Sequence, residues 1–157
     1  MGDRFVSPGT MNRVHLRDDF KKGLRCFNCN DYEGALLFFR TADSSAELDD
    51  IYQSRYTSFY GLSRVYMGDK NGVKLCRKAA VGEMVDAEVY YNLAMAEHRL
   101  DFLESAQMAV RRGLNVDPEH AGLLNLQRQL YPKSDPRRAS ASGIVKQLLG
   151  RLLGRSP

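Results

Sequence analysis

Residues 87–120, AEVYYNLAMAEHRLDFLESAQMAVRRGLNVDPEH, decide the fold. Tyr90, Leu93 and Leu100 fall on one face of a helical period, and VDPEH at 116–120 supplies a turn with a proline stop. Inside the stretch, Ala94 is followed by Ala106 twelve residues on and by Gly113 seven later. Working back along the chain, Gly61 stands in the same relation to Val73 and Ala80, and Gly23 to Ala35 and Ala42. The three sets are displaced by 38 and then 33 residues, which is the mark of an internal repeat.

Two antiparallel helices that cross closely have no room for a side chain much larger than methyl, so each crossing point favours Gly or Ala. Between the small residues the chain reads as helix: Asp18–Asn28 places Phe20, Leu24 and Phe27 at three- and four-residue steps. Breaks fall between the expected partners, at CNDYEG (29–34) and MGDKNG (67–72). Such a unit cannot bury its own apolar face and must stack on a neighbour. After the third unit, HAGLLNLQRQLYP (120–132) predicts one more helix, with Leu123, Leu126 and Leu130 on one side and Pro132 ending it.

These residues resemble the tetratricopeptide (TPR) family. The third unit carries the resemblance best, through Tyr90, Leu93, Ala94, Ala106, Val110, Gly113 and Pro118. The first matches through Gly23, Tyr32, Ala35, Phe39 and Ala42. The middle unit is degenerate, with Val73 where Ala is usual and Arg77 where an aromatic or aliphatic is usual. The resemblance implies an all-α, right-handed TPR-type solenoid of three antiparallel helix pairs with a C-terminal capping helix. The expected organisation is a leader at 1–14 and a TPR-like domain at 15–132, with units near 16–48, 54–86 and 87–120 and a capping helix at 120–131. A basic spacer at 133–143 and an amphipathic basic tail at 144–157 follow.

Composition fits a globular, water-compatible chain: of 157 residues 43% are hydrophobic and 27% charged, and mean hydropathy is −0.43. No apolar run approaches the ~20 residues of a membrane helix. The N-terminus lacks a secretory apolar stretch, and Val6 stands where a myristoylation signal wants Ser or Thr, so a cytoplasmic address is expected. The net charge of +4 is uneven. Residues 133–157 hold six cations against Asp135, a balance of +5, which leaves the first 132 residues at −1. A near-neutral body is not the electrostatic footprint of a nucleic-acid binder.

Catalytic and metal chemistry find little support. The acidic pairs Asp18–Asp19 and Asp49–Asp50 sit beside helix starts, where the helix dipole favours them. GDKNG is a turn, because Lys70 does not follow a Gly-x4-Gly frame. Cys26 and Cys29 form a CxxC with His15 upstream, but a fourth ligand would have to come from Cys76, His98 or His120, none at ligand spacing. Cys26 falls at a helix-packing position, so we expect ordinary packing, no metal, no cofactor and no enzyme activity.

What remains is a surface. In the TPR fold the first helix of each pair lines a concave groove, and the resemblance places Arg17, Phe20, Leu24, Phe27 and Asn28 there from the first unit. The middle unit contributes Arg55, Ser58, Leu62, Val65 and Tyr66, and the third Glu88, Tyr91, Met95, His98 and Arg99. The Lys and Asn set with which some TPR proteins clamp a terminal carboxylate is absent. The expected groove is aromatic and aliphatic with arginines at intervals, suited to an extended or helical peptide segment. The alternative is that these side chains pack within the array.

In the tail, Ile144, Val145, Leu148, Leu149, Leu152 and Leu153 form one apolar face, with Lys146 and Arg151 opposite and Arg155 near the end. At ~14 residues such a helix is marginal alone and needs a surface to form on. Three are available: its own array, a partner (including the groove of a second copy, which would make a homodimer), or an anionic membrane. A short helix without Trp or Phe holds a membrane weakly, so protein contact is the expected use. The expectation from sequence is thus a non-catalytic adaptor or scaffold that captures a partner segment. A small secretion-type chaperone for a membrane-active client, and a membrane-peripheral assembly factor anchored by the tail, are the alternatives.

Overall fold

A computed structural model describes residues 16–46, 50–82 and 85–131. The expectations for the leader and for the tail fall outside the described residues.

Seven helices follow one another: α1 (Asp18–Asn28), α2 (Tyr32–Ser44), α3 (Gln53–Tyr66), α4 (Gly72–Ala79), α5 (Ala87–Arg99), α6 (Leu103–Val116) and α7 (Ala121–Leu130). Among the described residues there is no strand. α1 pairs with α2, α3 with α4 and α5 with α6, while α3 also packs on α2 and α5 and α7 closes over α6 and α5. The fold is therefore a TPR-type helical repeat solenoid.

The turn inside each pair is built the same way three times. Asn30 (φ 61°), Gly68 (φ 88°) and Asp101 (φ 62°) are the described residues with left-handed backbone, and each lies seven residues after the small residue of its first helix. In each turn the next amide reaches back to close the helix end: Asp31 N–H to Cys26 O, Asp69 N–H to Arg64 O, and Phe102 N–H to Glu97 O, all 2.9 Å. This is the Schellman arrangement, which satisfies carbonyls a helix end would leave unpaired. The middle unit obeys it as fully as the others.

The crossing points explain the small residues. A Cβ on Gly23 would sit 2.5 Å from the Phe39 ring, and one on Gly113 2.5 Å from Leu123 Cδ1. In the middle unit a Cβ on Gly61 would meet the Gly72 carbonyl at 2.7 Å, and one on Gly72 would strike the Gly61 carbonyl in turn. Gly72 thus takes over the close approach, which leaves room for Val73 beside it, 5% exposed. α4 is also short, 8 residues against 13 and 14 in α2 and α6, which accompanies the 33-residue spacing to the third unit.

Arg77, the other departure from the repeat pattern, has a partner on the neighbouring pair. Its Nε and Nη2 donate to the two carboxylate oxygens of Glu97 at 2.7 and 3.0 Å. The Glu97 side chain is 3% exposed, so this bidentate pair satisfies a charge that α5 would otherwise bury alone. Helix starts are capped by Asp31 on Gly34 N–H (2.9 Å) and by Asp86 on Val89 N–H (3.1 Å).

The core divides in two. Around the first pair it is aromatic: Phe20 stacks obliquely on Phe39 (5.4 Å between centroids) and Tyr56 (4.9 Å) and sets its edge to Phe59 (5.3 Å). Around the third pair it is built from Ala94, Ala96, Ala106, Ala109 and Val110, closed by Leu123, Leu126 and Leu130 of α7.

Candidate functional site

The first helices of the three pairs form one concave wall, and a groove of about 350 Å³ runs along it. Leu24, Phe27 and Asn28 line it from α1, and Phe59, Leu62 and Tyr66 from α3. α5 supplies Glu88, Tyr91, Asn92 and Met95. Eight of the groove positions expected from sequence therefore meet in one place: Leu24, Phe27, Asn28, Leu62, Tyr66, Glu88, Tyr91 and Met95.

The rings are held, not loose. Phe27 sets its edge against Phe59 (5.9 Å), Tyr32 (5.2 Å) and Tyr66 (5.6 Å), and Tyr66 stacks on Tyr32 at 4.5 Å. The guanidinium of Arg99 lies 4.5 Å over the Tyr66 ring and closes the stack from the end of α5. Burial pushes the Tyr66 phenol above its ordinary value, reinforced by nearby Tyr32, and burial with nearby Glu88 does the same to Tyr91. Both hydroxyls stay protonated and can donate to a bound carbonyl or carboxylate.

At the other end, Glu88 Oε2 accepts from His120 Nε2 at 3.2 Å, while His120 Nδ1 accepts from Leu123 N–H at 3.2 Å and caps α7. The two bonds together assign the His120 proton to Nε2. The Tyr91 ring lies 5.5 Å from the His120 ring and against Gly122, where a Cβ would come within 2.9 Å of it. The groove wall and the capping helix are thus one packed unit.

The remaining expected positions go elsewhere. Phe20 is wholly buried in the aromatic core, so the expectation that it lines the groove is corrected: its ring turns toward Phe39 and Tyr56, and no surface is left for a partner. Arg55 is tied to Asp86 (Nη2–Oδ2 2.7 Å) and straps α3 to the start of α5. Arg17 is half-buried, its backbone N–H on Tyr56 Oη at 3.3 Å. Ser58 and Val65 are buried, and half-buried His98 is not among the groove-lining residues.

Two groove residues escaped the sequence reading, Phe59 and Asn92. Asn92 is 1% exposed; its Nδ2 donates to Ser58 Oγ at 3.0 Å, and its Oδ1 has no hydrogen-bond partner among the described residues. A polar residue in the middle of YYNLAMA was the available signal.

The cysteines do not converge. Cys76 is buried with its thiol on Ser58 O at 3.4 Å, and its pKa is pushed up to about 12 by burial and then by nearby Glu97. Cys26 is half-buried, its thiol raised by burial, and Cys29 is exposed at the end of α1. No group of three or more metal-ligating side chains occurs among the described residues, and no described helix is long and apolar enough to cross a membrane. His15 falls outside the described residues.

Two solved structures resemble the chain in fold. The first TPR domain of human RPAP3, determined by NMR, superposes with a TM-score of 0.60 at 17% identity, covering 73% of this chain and 87% of that one. The Arabidopsis OM64 TPR domain gives 0.57 at 16% identity, covering 73% and 93%. No family model matches the chain, and no curated protein matches it in sequence.

Proposed function

We propose that this TPR-type solenoid is a non-catalytic protein-interaction module that captures an apolar segment of another protein along its concave groove. The observation that carries the reading is the convergence of Leu24, Phe27, Tyr66, Tyr91 and Met95, all half-buried, from three successive first helices onto one groove. A half-exposed apolar wall spanning three repeats suits an extended or helical segment with side chains at intervals. Asn92 Oδ1 adds a buried acceptor beneath it, and the two tyrosine hydroxyls add donors.

The tail at 144–157 is itself an apolar segment of this kind, with Ile144, Leu148, Leu149, Leu152 and Leu153 on one face and Arg151 and Arg155 beside them. On this reading it competes with, or stands in for, a partner. The experiment is affinity capture with full-length protein, a 1–132 truncation, and full-length Tyr91→Ala and Met95→Glu variants, each checked by thermal melting. Loss of the captured protein in folded variants supports the groove, and stronger capture by 1–132 assigns the tail as competitor. Capture that survives both substitutions sinks the reading. Sedimentation with anionic liposomes, full-length against 1–132, separates a membrane-anchored assembly factor from an adaptor or a client chaperone.

A further inference from the structure

A second recess lies on the ridge made by the helix-pair turns, away from the groove floor. It holds about 580 Å³ between the α3–α4 turn with the start of α4 and the α5–α6 turn. That volume is within the ~300–1,000 Å³ range of ligand pockets. Lys70, Lys74, Arg77 and Arg99 line it, against one lining carboxylate, Asp101. Val73, Leu100 and Phe102 provide the apolar part.

We propose that this recess is a binding site for an acidic segment of a partner protein that carries an aliphatic or aromatic residue among its carboxylates. The proposal is independent of the groove.

Three observations support it. First, two of the nearby acids are already engaged: Glu97 is buried against Arg77, and Asp69 accepts from Arg64 Nε at 2.9 Å. That leaves Asp101 as the one lining carboxylate against Lys70, Lys74 and Arg99. Lys70 and Lys74 make no ion pair among the described residues, and Arg99 meets only the Tyr66 ring face. The recess therefore presents uncompensated positive charge on a body whose first 132 residues total −1.

Second, Arg77 is held in place before anything binds. Two of its five N–H groups go to Glu97 and its guanidinium lies 5.8 Å from the Phe102 ring centre, which leaves three donors on a fixed plane. A carboxylate meeting it has little side-chain entropy left to remove. Third, Phe102 is 48% exposed within this basic lining, an apolar contact that a bare anion has no use for.

The shape and charge discriminate among occupants. The chain's own tail, part of a +5 region, is repelled. A nucleic acid needs a basic stripe that follows many phosphates, and a body totalling −1 is not that footprint.

The test uses the full-length chain and a random linear peptide library displayed on phage. Enriched peptides are then synthesised and titrated against wild type, the Lys70→Glu/Lys74→Glu double variant, Phe102→Ala and Met95→Glu. Both lysines are exposed, so the double variant is expected to fold, and its melting is recorded beside the binding. The expected result is enrichment of acidic peptides with an apolar residue. Their affinity falls by about tenfold or more in the double variant and falls with added salt, and Met95→Glu leaves it unchanged. Phe102→Ala should weaken peptides bearing the apolar residue more than all-acidic ones. Enrichment without acidic bias overturns the proposal, as does indifference to the lysine reversal. So does loss through Met95→Glu, which would place the peptides in the groove. If the reversal abolishes binding of an oligonucleotide or of phosphatidylserine vesicles but spares the peptides, the recess serves that ligand and the proposal fails.

Discussion

The first pair of helices fills its core with rings, whereas the third fills its core with methyl groups. At one end Phe20 lies 4.9–5.4 Å from Phe39, Tyr56 and Phe59, and Phe39 lies 5.1 Å from Phe59. There α1 meets α3 through rings, Phe20 on Tyr56 and Phe59, and Phe27 on Phe59 and Tyr66. At the other end Ala94, Ala96, Ala106 and Ala109, none more than 2% exposed, let α5 and α6 approach closely. Rings stabilise by large buried area and by oblique contacts worth about 0.5–1.5 kcal/mol each beyond that area. Small residues do it by letting backbones meet, with dense packing and little slack. The groove lies where the two regimes join, its α1 and α3 walls aromatic and its α5 wall mounted on the methyl-packed half.

The largest effect that would break this contrast is on the aromatic side. Phe20→Ala should cost about 3–5 kcal/mol in urea denaturation, because the removed ring leaves a cavity that the neighbouring rigid rings cannot fill. A cost no larger than that of Leu126→Ala would end the claim that one ring organises this half. Next come the two crossing glycines. An Ala at Gly23 would push its Cβ into the Phe39 ring, which cannot bend, so a net loss of about 1–3 kcal/mol is expected. At Gly113 the nearest atom is the movable end of Leu123, but Tyr90 Cβ, fixed to the α5 backbone, stands 2.9 Å from the added Cβ. The up to ~1 kcal/mol of helix propensity that Ala regains offsets only part of that, so a smaller drop in melting temperature than at Gly23 is expected. Equal costs at the two sites would show that ring and methyl packing are equally rigid.

A smaller effect is read through pH. Cys76 keeps its proton in the folded state, with a pKa of about 12 against an ordinary 9.0. A raised value means its share of stability is complete below pH 9.0 and is lost as pH climbs toward about 12. Cys76→Ala should flatten the alkaline limb of a urea-midpoint profile, and native thiol titration should modify Cys29 at once and Cys76 only on unfolding. The smallest change belongs to Asp69, whose carboxyl the Arg64 guanidinium holds below the usual 3.8. The support it lends the middle turn is present above that value and lost as pH falls through the lowered one, so Asp69→Asn should slightly flatten the acid limb of thermal unfolding.

The contrast also governs how much was legible in the sequence. The third unit declared itself because Ala94, Ala106 and Gly113 are local requirements of a helix crossing, visible without knowing what lies opposite. Val73 and Arg77 looked like faults in the middle unit because their reasons are tertiary. Gly72 had taken over the close approach, and Glu97, twenty residues on, needed a buried cation. In the candidate site, Leu24, Phe27, Tyr66, Tyr91 and Met95 followed from the family resemblance, which says which helix faces line a groove and so which register positions to read. Phe20 did not, since register says which side of a helix a ring leaves from but not how far two helices stand apart. Asn92 is harder still: a buried amide in an apolar stretch is explained only by Ser58 on the neighbouring helix.

The mutual contact of Gly61 and Gly72 has a consequence for how this chain can change over generations. Each residue occupies the space in which the other would need a side chain, so the two positions are inherited as one character. A substitution at either is a steric fault that no change at its partner can repair, because glycine is already the smallest choice. Descendants should therefore keep both glycines or lose the α3–α4 crossing altogether, and the ridge recess, whose wall is α4, would stand or fall with that pair.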